Sequence, residues 1–122
     1  VGAGIVIMPW IVLEHPDFAV ERQAMPRAVV LRLAEAVLAL QAVGPQLGRP
    51  LVDTLKGSRH ANMKELRIGA NGAWRVLFAF DPVRNAGLLV GGNKQGVAQA
   101  RFYRDMIRVA DARFIEWLEA ED

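Results

Sequence analysis

The segment from Met63 to Phe80 constrains this chain more than any other. Period-2 hydrophobic patterning over Met63–Ile68 and again over Trp74–Phe80 predicts two strands. Between them Gly69-Ala70-Asn71-Gly72 supplies Asn-Gly tight-turn chemistry. A hairpin of this kind forces an antiparallel sheet, and this one carries cations. Lys64, Arg67 and Arg75 lie on the strands, and Lys56, Arg59 and His60 lie just before them. A sheet that presents cations in a fixed array can bind and hold a phosphodiester, whereas a disordered basic tail can only attract one.

The rest of the chain falls into place around the hairpin. Pro9-Trp10-Ile11-Val12-Leu13-Glu14 reads as an opening strand, followed by Asp17 as a helix N-cap. Phe18 to Val43 is helical in period, with Val30, Leu33, Val37, Leu40 and Val43 as the apolar stripe. Pro26 either starts a second helix or kinks one, and Gly44-Pro45 ends it. Residues 45–54 read as loop. Asp81 to Asn85 is a second turn, Ala86 to Val90 a third strand of the meander, and Ala98 to Leu118 a closing helix. Phe102, Met106, Val109, Arg113/Phe114 and Trp117 trace that helix's inward stripe. The expected fold is α+β: a small antiparallel sheet, one N-terminal strand plus a three-strand meander, with N-terminal helices and a C-terminal helix packed on it.

At 122 residues the chain is one domain, spanning 1–122, with Met8 as a candidate start and residues 1–9 as an extension. Without cysteine it has neither disulfides nor Cys-based zinc sites. The first residues lack the positive region of a signal peptide. The longest apolar stretches, Ile5–Leu13 and Leu88–Val90, fall short of the ~20 residues that span a bilayer. A cytoplasmic protein with no membrane partner is the expectation. The net charge of +2 hides a strong asymmetry. Residues 49–108 hold eleven Lys/Arg against four acids, a net of +7, and residues 109–122 hold one Arg against five acids, a net of −4. A polyanion is the natural partner of the central block.

Several side chains stand out chemically. Arg75 sits on a strand among Trp74, Val76, Leu77 and Phe78, where a chain folding for stability alone seldom places a cation. Arg67 and Glu65 share one face of their strand and Lys64 takes the other. His60 brings an imidazole into a polar loop beside Arg59 and Asn62. Lys94 follows Gly91-Gly92, which would permit close approach by a ligand. The two histidines, His15 and His60, are far apart and no carboxylates cluster, so no metal site and no cofactor is expected.

Lys56 to Arg67, Arg75-Val76-Leu77-Phe78 and Gly91-Gly92-Asn93-Lys94 together resemble the RelE/ParE superfamily of bacterial toxins. Leu47-Gly48-Arg49-Pro50 and the Asp53–His60 run are similar to its HigB-like, phage-derived branch. The resemblance covers residues 10–118 and implies the toxin of a type II toxin–antitoxin system. It implies a ribosome-dependent, metal-independent mRNA endonuclease that inhibits translation. It also implies a cognate antitoxin, often a helix-turn-helix protein like HigA, through which alone the complex would reach operator DNA. On this resemblance Arg75 stabilises phosphate, Arg67 occupies a recurrent basic position, and His60, Lys94 and Tyr103 complete the candidate catalytic set. Lys56, Arg59, Lys64, Arg101 and Arg104 are the candidate RNA-binding set. The chain departs from RelE-type enzymes at Glu65, where they carry Lys, and at Gln95, where a second cation is expected. Glu65 is then a base or a counter-charge for Arg67. Two other readings share the fold or the charge: a ParE-like toxin that binds a protein such as gyrase, and an RNA-binding module without catalysis.

Overall fold

A computed structural model describes residues 2, 4 and 9–121. The Met8 start position lies outside the described residues. The elements are β1 (Ile11–Glu14), α1 (Pro16–Gln23), α2 (Arg27–Val43), a 3-10 turn (Gly44–Gln46), β2 (Val52–Thr54), β3 (Met63–Ile68), β4 (Trp74–Phe80), β5 (Asn85–Asn93) and α3 (Gln99–Ala120).

The predicted hairpin forms, with Glu65 opposite Leu77 and Arg67 opposite Arg75. Asn71 and Gly72 take positive φ at its turn (49° and 126°), the backbone conformation that Asn-Gly suits. The five strands run in the order β1-β5-β4-β3-β2. The sheet is mixed, because β1 pairs parallel with β5 while the other pairings are antiparallel. The meander also gains a member: β2, read from sequence as loop, pairs with β3 through Val52–Leu66, Asp53–Glu65 and Thr54–Lys64. Three residues are too few to show a period, and only Val52 is buried.

The two faces of the sheet bury separate cores. Leu66, Ile68, Val76, Phe78 and Leu88 pack with Phe18, Val29, Leu33 and Leu40 of α1 and α2. Met63, Leu77, Ala79 and Leu89 pack with Phe102, Met106, Ile107, Ala110 and Phe114 of α3. Pro26 sits at the N-cap of α2, so the sequence break separates two helices rather than kinking one. The cap of α1 falls on His15, not Asp17: its Nδ1 accepts the Asp17 backbone N–H at 3.1 Å, and Pro16 occupies the first helical position. The buried line of α2 is Val29, Leu33, Ala36 and Leu40, rotated from the predicted stripe. Val30 and Val37 are only half-buried, and Val43 is exposed. Residues 27–46 are long and apolar enough to cross a membrane by length and composition, a run the sequence reading overlooked. In this fold the inward line of that run packs against the sheet.

Gly91 and Gly92 admit neighbouring side chains rather than a ligand. A Cβ on Gly91 would lie 2.5 Å from Met25 Cε and 3.0 Å from Phe18 Cε1. One on Gly92 would lie 3.1 Å from Met106 Sδ and 3.3 Å from Phe102 Cε1. Each glycine therefore lets a helix close onto one face of β5.

Candidate active site and its relatives

The α3 face of the hairpin carries the odd-numbered residues of β3, so Glu65 and Arg67 look toward α3 and Lys64 looks away. The irregularity in the ladder lies between β4 and β5 at Leu77/Phe78, not in β3, so nothing turns Lys64 back. Instead the Lys64 Nζ donates to Thr54 Oγ1 at 3.1 Å.

Glu65 is the centre of the arrangement. Only 2% exposed, it accepts from Arg67 Nε at 3.1 Å through Oε1, while Arg75 Nε stands 3.9 Å from its Oε2. That second contact is an ion pair too long for a hydrogen bond. Both Glu65 Oε2 and Arg75 Nε are buried without a hydrogen-bond partner. Arg75 is anchored otherwise, through Nη1 to the Trp74 carbonyl at 2.9 Å. Arg67 also reaches Asp53 Oδ2 at 3.4 Å, and Arg49 Nη2 meets the same oxygen at 2.9 Å. The Arg49 guanidinium holds the Asp53 carboxyl below its usual range, against the upward push of desolvation.

The first turns of α3 close the cluster. Phe102 turns into the core and Tyr103 turns aside, half-buried, its ring edge-on to Phe102 at 5.3 Å. Burial raises the Tyr103 phenol above its ordinary pKa, the Glu65 carboxylate raises it further, and Arg75 partly opposes both. Lys94, just beyond the end of β5, places its Nζ 5.7 Å from the Tyr103 ring centroid. Four predicted residues from three strands' ends and one helix thus converge: Arg67, Arg75, Lys94 and Tyr103.

His60 does not join them. Its ring packs edge-on against Phe114 at 4.9 Å, and its Nε2 is buried with no partner. Phe114 lies eleven residues beyond Tyr103 along α3, or ~16 Å at the helical rise. The polar neighbours of His60 suggested a solvated loop, but a helix more than fifty residues distant covers it.

The predicted RNA-binding cations divide as well. Lys56 and Arg59 face Tyr103, Arg104, Ile107 and Arg108 across a groove of about 660 Å³ beside the cluster. Asp111 shapes that groove: buried, it accepts from Ser58 Oγ at 2.5 Å and from the Arg59 backbone N–H at 3.0 Å. Arg101 is exposed and pairs loosely with Asp105 at 4.0 Å. Lys64 lies outside the groove. Sequence reasoning overlooked Asp53, Arg108 and Asp111. Of these only Arg108 carried a signal, since it stands one helical turn after Arg104.

The cluster is a planar carboxylate set between two guanidiniums, with a phenol against it and a Lys at the rim. The comparisons with known proteins give the family. Residues 21–115 match the family described as "Phage derived protein Gp49-like (DUF891)". The chain is 42% identical over 117 residues to HigB3 of Mycobacterium tuberculosis, covering 96% of this chain and 95% of HigB3. It is 52% identical over 85 residues to HigB2 of the same organism, covering 68% of this chain and 42% of HigB2. Both relatives are named as toxins; the chain matches less than half the length of the second. A free-state structure of an Escherichia coli RelE toxin mutant superposes with a TM-score of 0.65 at 10% identity, covering 87% of this chain and 98% of that one, which shows a shared fold. The chain belongs to the phage-derived Gp49-like family and is a HigB-like toxin.

Proposed function

We propose that this toxin is an endoribonuclease that cleaves mRNA on the ribosome without a metal ion, acting in the cytoplasm until its antitoxin binds it. The observation that carries the reading is the convergence of Arg67, Arg75 and Lys94 on Glu65 and Tyr103 beside a basic groove. In such a cleavage the ribose 2′-oxygen attacks phosphorus, the 5′-oxygen leaves, and a 2′,3′-cyclic phosphate remains. Arg67, Arg75 and Lys94 neutralise the crowded phosphate. Glu65 Oε2, buried 3.9 Å from Arg75 Nε, takes the proton of the 2′-hydroxyl once the RNA opens that contact. Tyr103, whose raised pKa keeps it protonated, gives its proton to the leaving 5′-oxygen. Lys56, Arg59, Arg104 and Arg108 hold the flanking strand. The antitoxin is a helix-turn-helix protein of HigA type, through which the complex reaches operator DNA.

Mapping transcript 5′ ends during growth arrest tests this. Cleavage within translated regions is expected from the wild type, with none from Arg75→Ala and a loss of ~10²–10⁴-fold from Tyr103→Phe. Arrest with intact messages and blocked supercoiling would assign the toxin to the ParE-like, gyrase-binding class.

A further inference from the structure

The basic groove holds an acid. Asp111, in the second half of α3, is 8% exposed and lines the groove with Lys56, Arg59, Arg104 and Arg108. A carboxylate there repels a polyanion and costs free energy to bury, so its presence needs a physical reason. Both of its oxygens serve the loop between β2 and β3. Oδ1 accepts from Ser58 Oγ, and Oδ2 accepts from the Arg59 N–H at 3.0 Å. Ser58 Oγ in turn accepts the His60 N–H at 3.0 Å, so one carboxylate orders three consecutive residues.

From Lys56 to Asn62 that loop contains neither helix nor strand. Its neck is closed by the Leu55 N–H on the Met63 carbonyl at 3.0 Å, and Gly57 turns it at a φ of 92°. Beyond the neck it meets α3 at Asp111 and again one turn on, where the His60 ring packs edge-on to Phe114 at 4.9 Å. Lys56 and Arg59 are exposed and stand on either side of Ser58 in the chain. Arg108 and Arg104 lie three and seven residues before Asp111, on the same helical face, ~4.5 and ~10 Å along the axis. Cations of the loop and of the helix thus face each other across the groove, and Asp111 joins the two sides. Tyr103 is eight residues away, ~12 Å, so Asp111 is too distant to touch the reacting phosphate.

We propose that Asp111 is a positioning residue for RNA: through Ser58 and Arg59 it clamps the β2–β3 loop to α3 and holds Lys56 and Arg59 opposite Arg104 and Arg108. The proposal rests on the reading of this groove as the seat of the flanking RNA strand. Freed from the clamp, the loop would have to be ordered by the RNA itself, and that entropy would be subtracted from affinity. Charge alone predicts the opposite sign, because deleting an acid from a basic groove should tighten the hold on a polyanion. An amide separates the two effects. In Asp111→Asn the side-chain oxygen accepts the Arg59 N–H and the NH2 donates to Ser58 Oγ, so the clamp stays while the charge goes.

The test measures binding of the full chain to a short single-stranded RNA over a range of salt, and message cleavage in a translating extract. Asp111→Ala should bind ~10-fold more weakly, with the slope of log affinity against log salt lowered by ~0.7–1.4 for one or two lost phosphate contacts. Its cleavage rate at saturating toxin should match wild type, and its Arg59 amide should exchange faster with solvent. Asp111→Asn should bind within ~2-fold of wild type or more tightly. Val29→Ala, which loosens the core on the other face, should lose stability and keep RNA affinity. Binding by Asp111→Ala as tight as wild type or tighter would overturn the proposal, as would an equal loss of affinity in Val29→Ala. A loss of maximal cleavage rate with affinity intact would overturn it too. The predicted pattern of binding in a toxin that cleaves no message would sustain the clamp and remove the nuclease reading. Cleavage by the wild type with no effect of Asp111→Ala would remove the clamp and leave the nuclease reading in place.

Discussion

Replacing Glu65 tests whether its charge holds the cluster together. At 3.9 Å the Glu65–Arg75 attraction is ~4 kcal/mol at the effective dielectric of ~20 that suits protein sites. Arg67 is closer, but its side chain is 36% exposed, so solvent screening leaves its pair worth ~1 kcal/mol or less. Arg75, with a side chain only 12% exposed, cannot recover its hydration when the carboxylate is removed. Glu65→Met therefore strands a buried guanidinium and should cost ~3–5 kcal/mol. Glu65→Gln is instructive because an amide satisfies one arginine at a time. With its oxygen toward Arg67, its NH2 faces Arg75 Nε, donor against donor. Arg75→Met leaves Glu65 paired with Arg67 and should cost less, ~1–3 kcal/mol.

The double variant Glu65→Met/Arg75→Met closes a cycle. It should be destabilised by clearly less than the two single changes added together, with a coupling of ~2–3 kcal/mol. Equilibrium urea unfolding measures all four proteins, and for a domain this size each kcal/mol should move the melting midpoint by ~3–5 °C. Glu65→Met within ~1 kcal/mol of wild type, or strict additivity of the two single changes, would refute the view that Glu65 is the cluster's electrostatic centre.

Four further outcomes are expected. The chain has a single tyrosine, so ultraviolet titration reports Tyr103 alone: its midpoint should lie above the ordinary phenol value and fall, without reaching that value, in Glu65→Gln, because burial is the first cause of the shift. Gly92→Ala should reduce RNA cleavage more than Gly91→Ala at similar stability cost, ~1–3 kcal/mol each, since only Gly92 seats the turn of α3 that carries Tyr103. Burial pushes the Asp81 carboxyl up, but the Glu121 and Trp117 side chains and the Asn85 and Val83 N–H groups prevail and lower it. Its contribution to stability is thus present above the ordinary carboxylate range near pH ~4 and lost as pH falls through the lower folded value, so Asp81→Asn should flatten the acid limb of an unfolding curve. Removing Lys56 or Arg108 should weaken RNA binding at every sequence and lower the slope of log affinity against log salt by ~0.7 each.

What the sequence made legible was local. Alternation in β3 put Glu65 and Arg67 on one face and Lys64 on the other, and that division holds in the fold. Period and punctuation also located α3 and the break at Pro26. The remainder depends on partners distant in the chain. β1 is parallel because its neighbour is β5, some seventy residues on, and nothing within four residues announces that. β2 exists because β3 offers it an edge. The cap of α1 moved to His15 because an imidazole nitrogen can accept an N–H as a carboxylate does, while sequence preference ranks Asp first. His60 looked exposed by its neighbours and is covered by Phe114.

The glycine pair shows how a local signal can be true and still be assigned to the wrong partner. Gly91-Gly92 signals close approach to the backbone, but by helix side chains and not by the ligand expected from sequence. Opposite faces of one strand meet Phe18 and Met25 at the first glycine and Phe102 and Met106 at the second. The consequence reaches the site. Arg75 pairs with Gly92 across the ladder, so the residue that lets α3 settle is the cross-strand neighbour of the central arginine. Phe102 fills that contact, and Tyr103, next in the chain, is thereby set against Glu65 and Arg75 and desolvated. The same close approach that completes the core therefore fixes the phenol's position and its pKa. A side chain at Gly92 would disturb packing and chemistry at once, whereas one at Gly91 would press on α1 and leave the cluster in place.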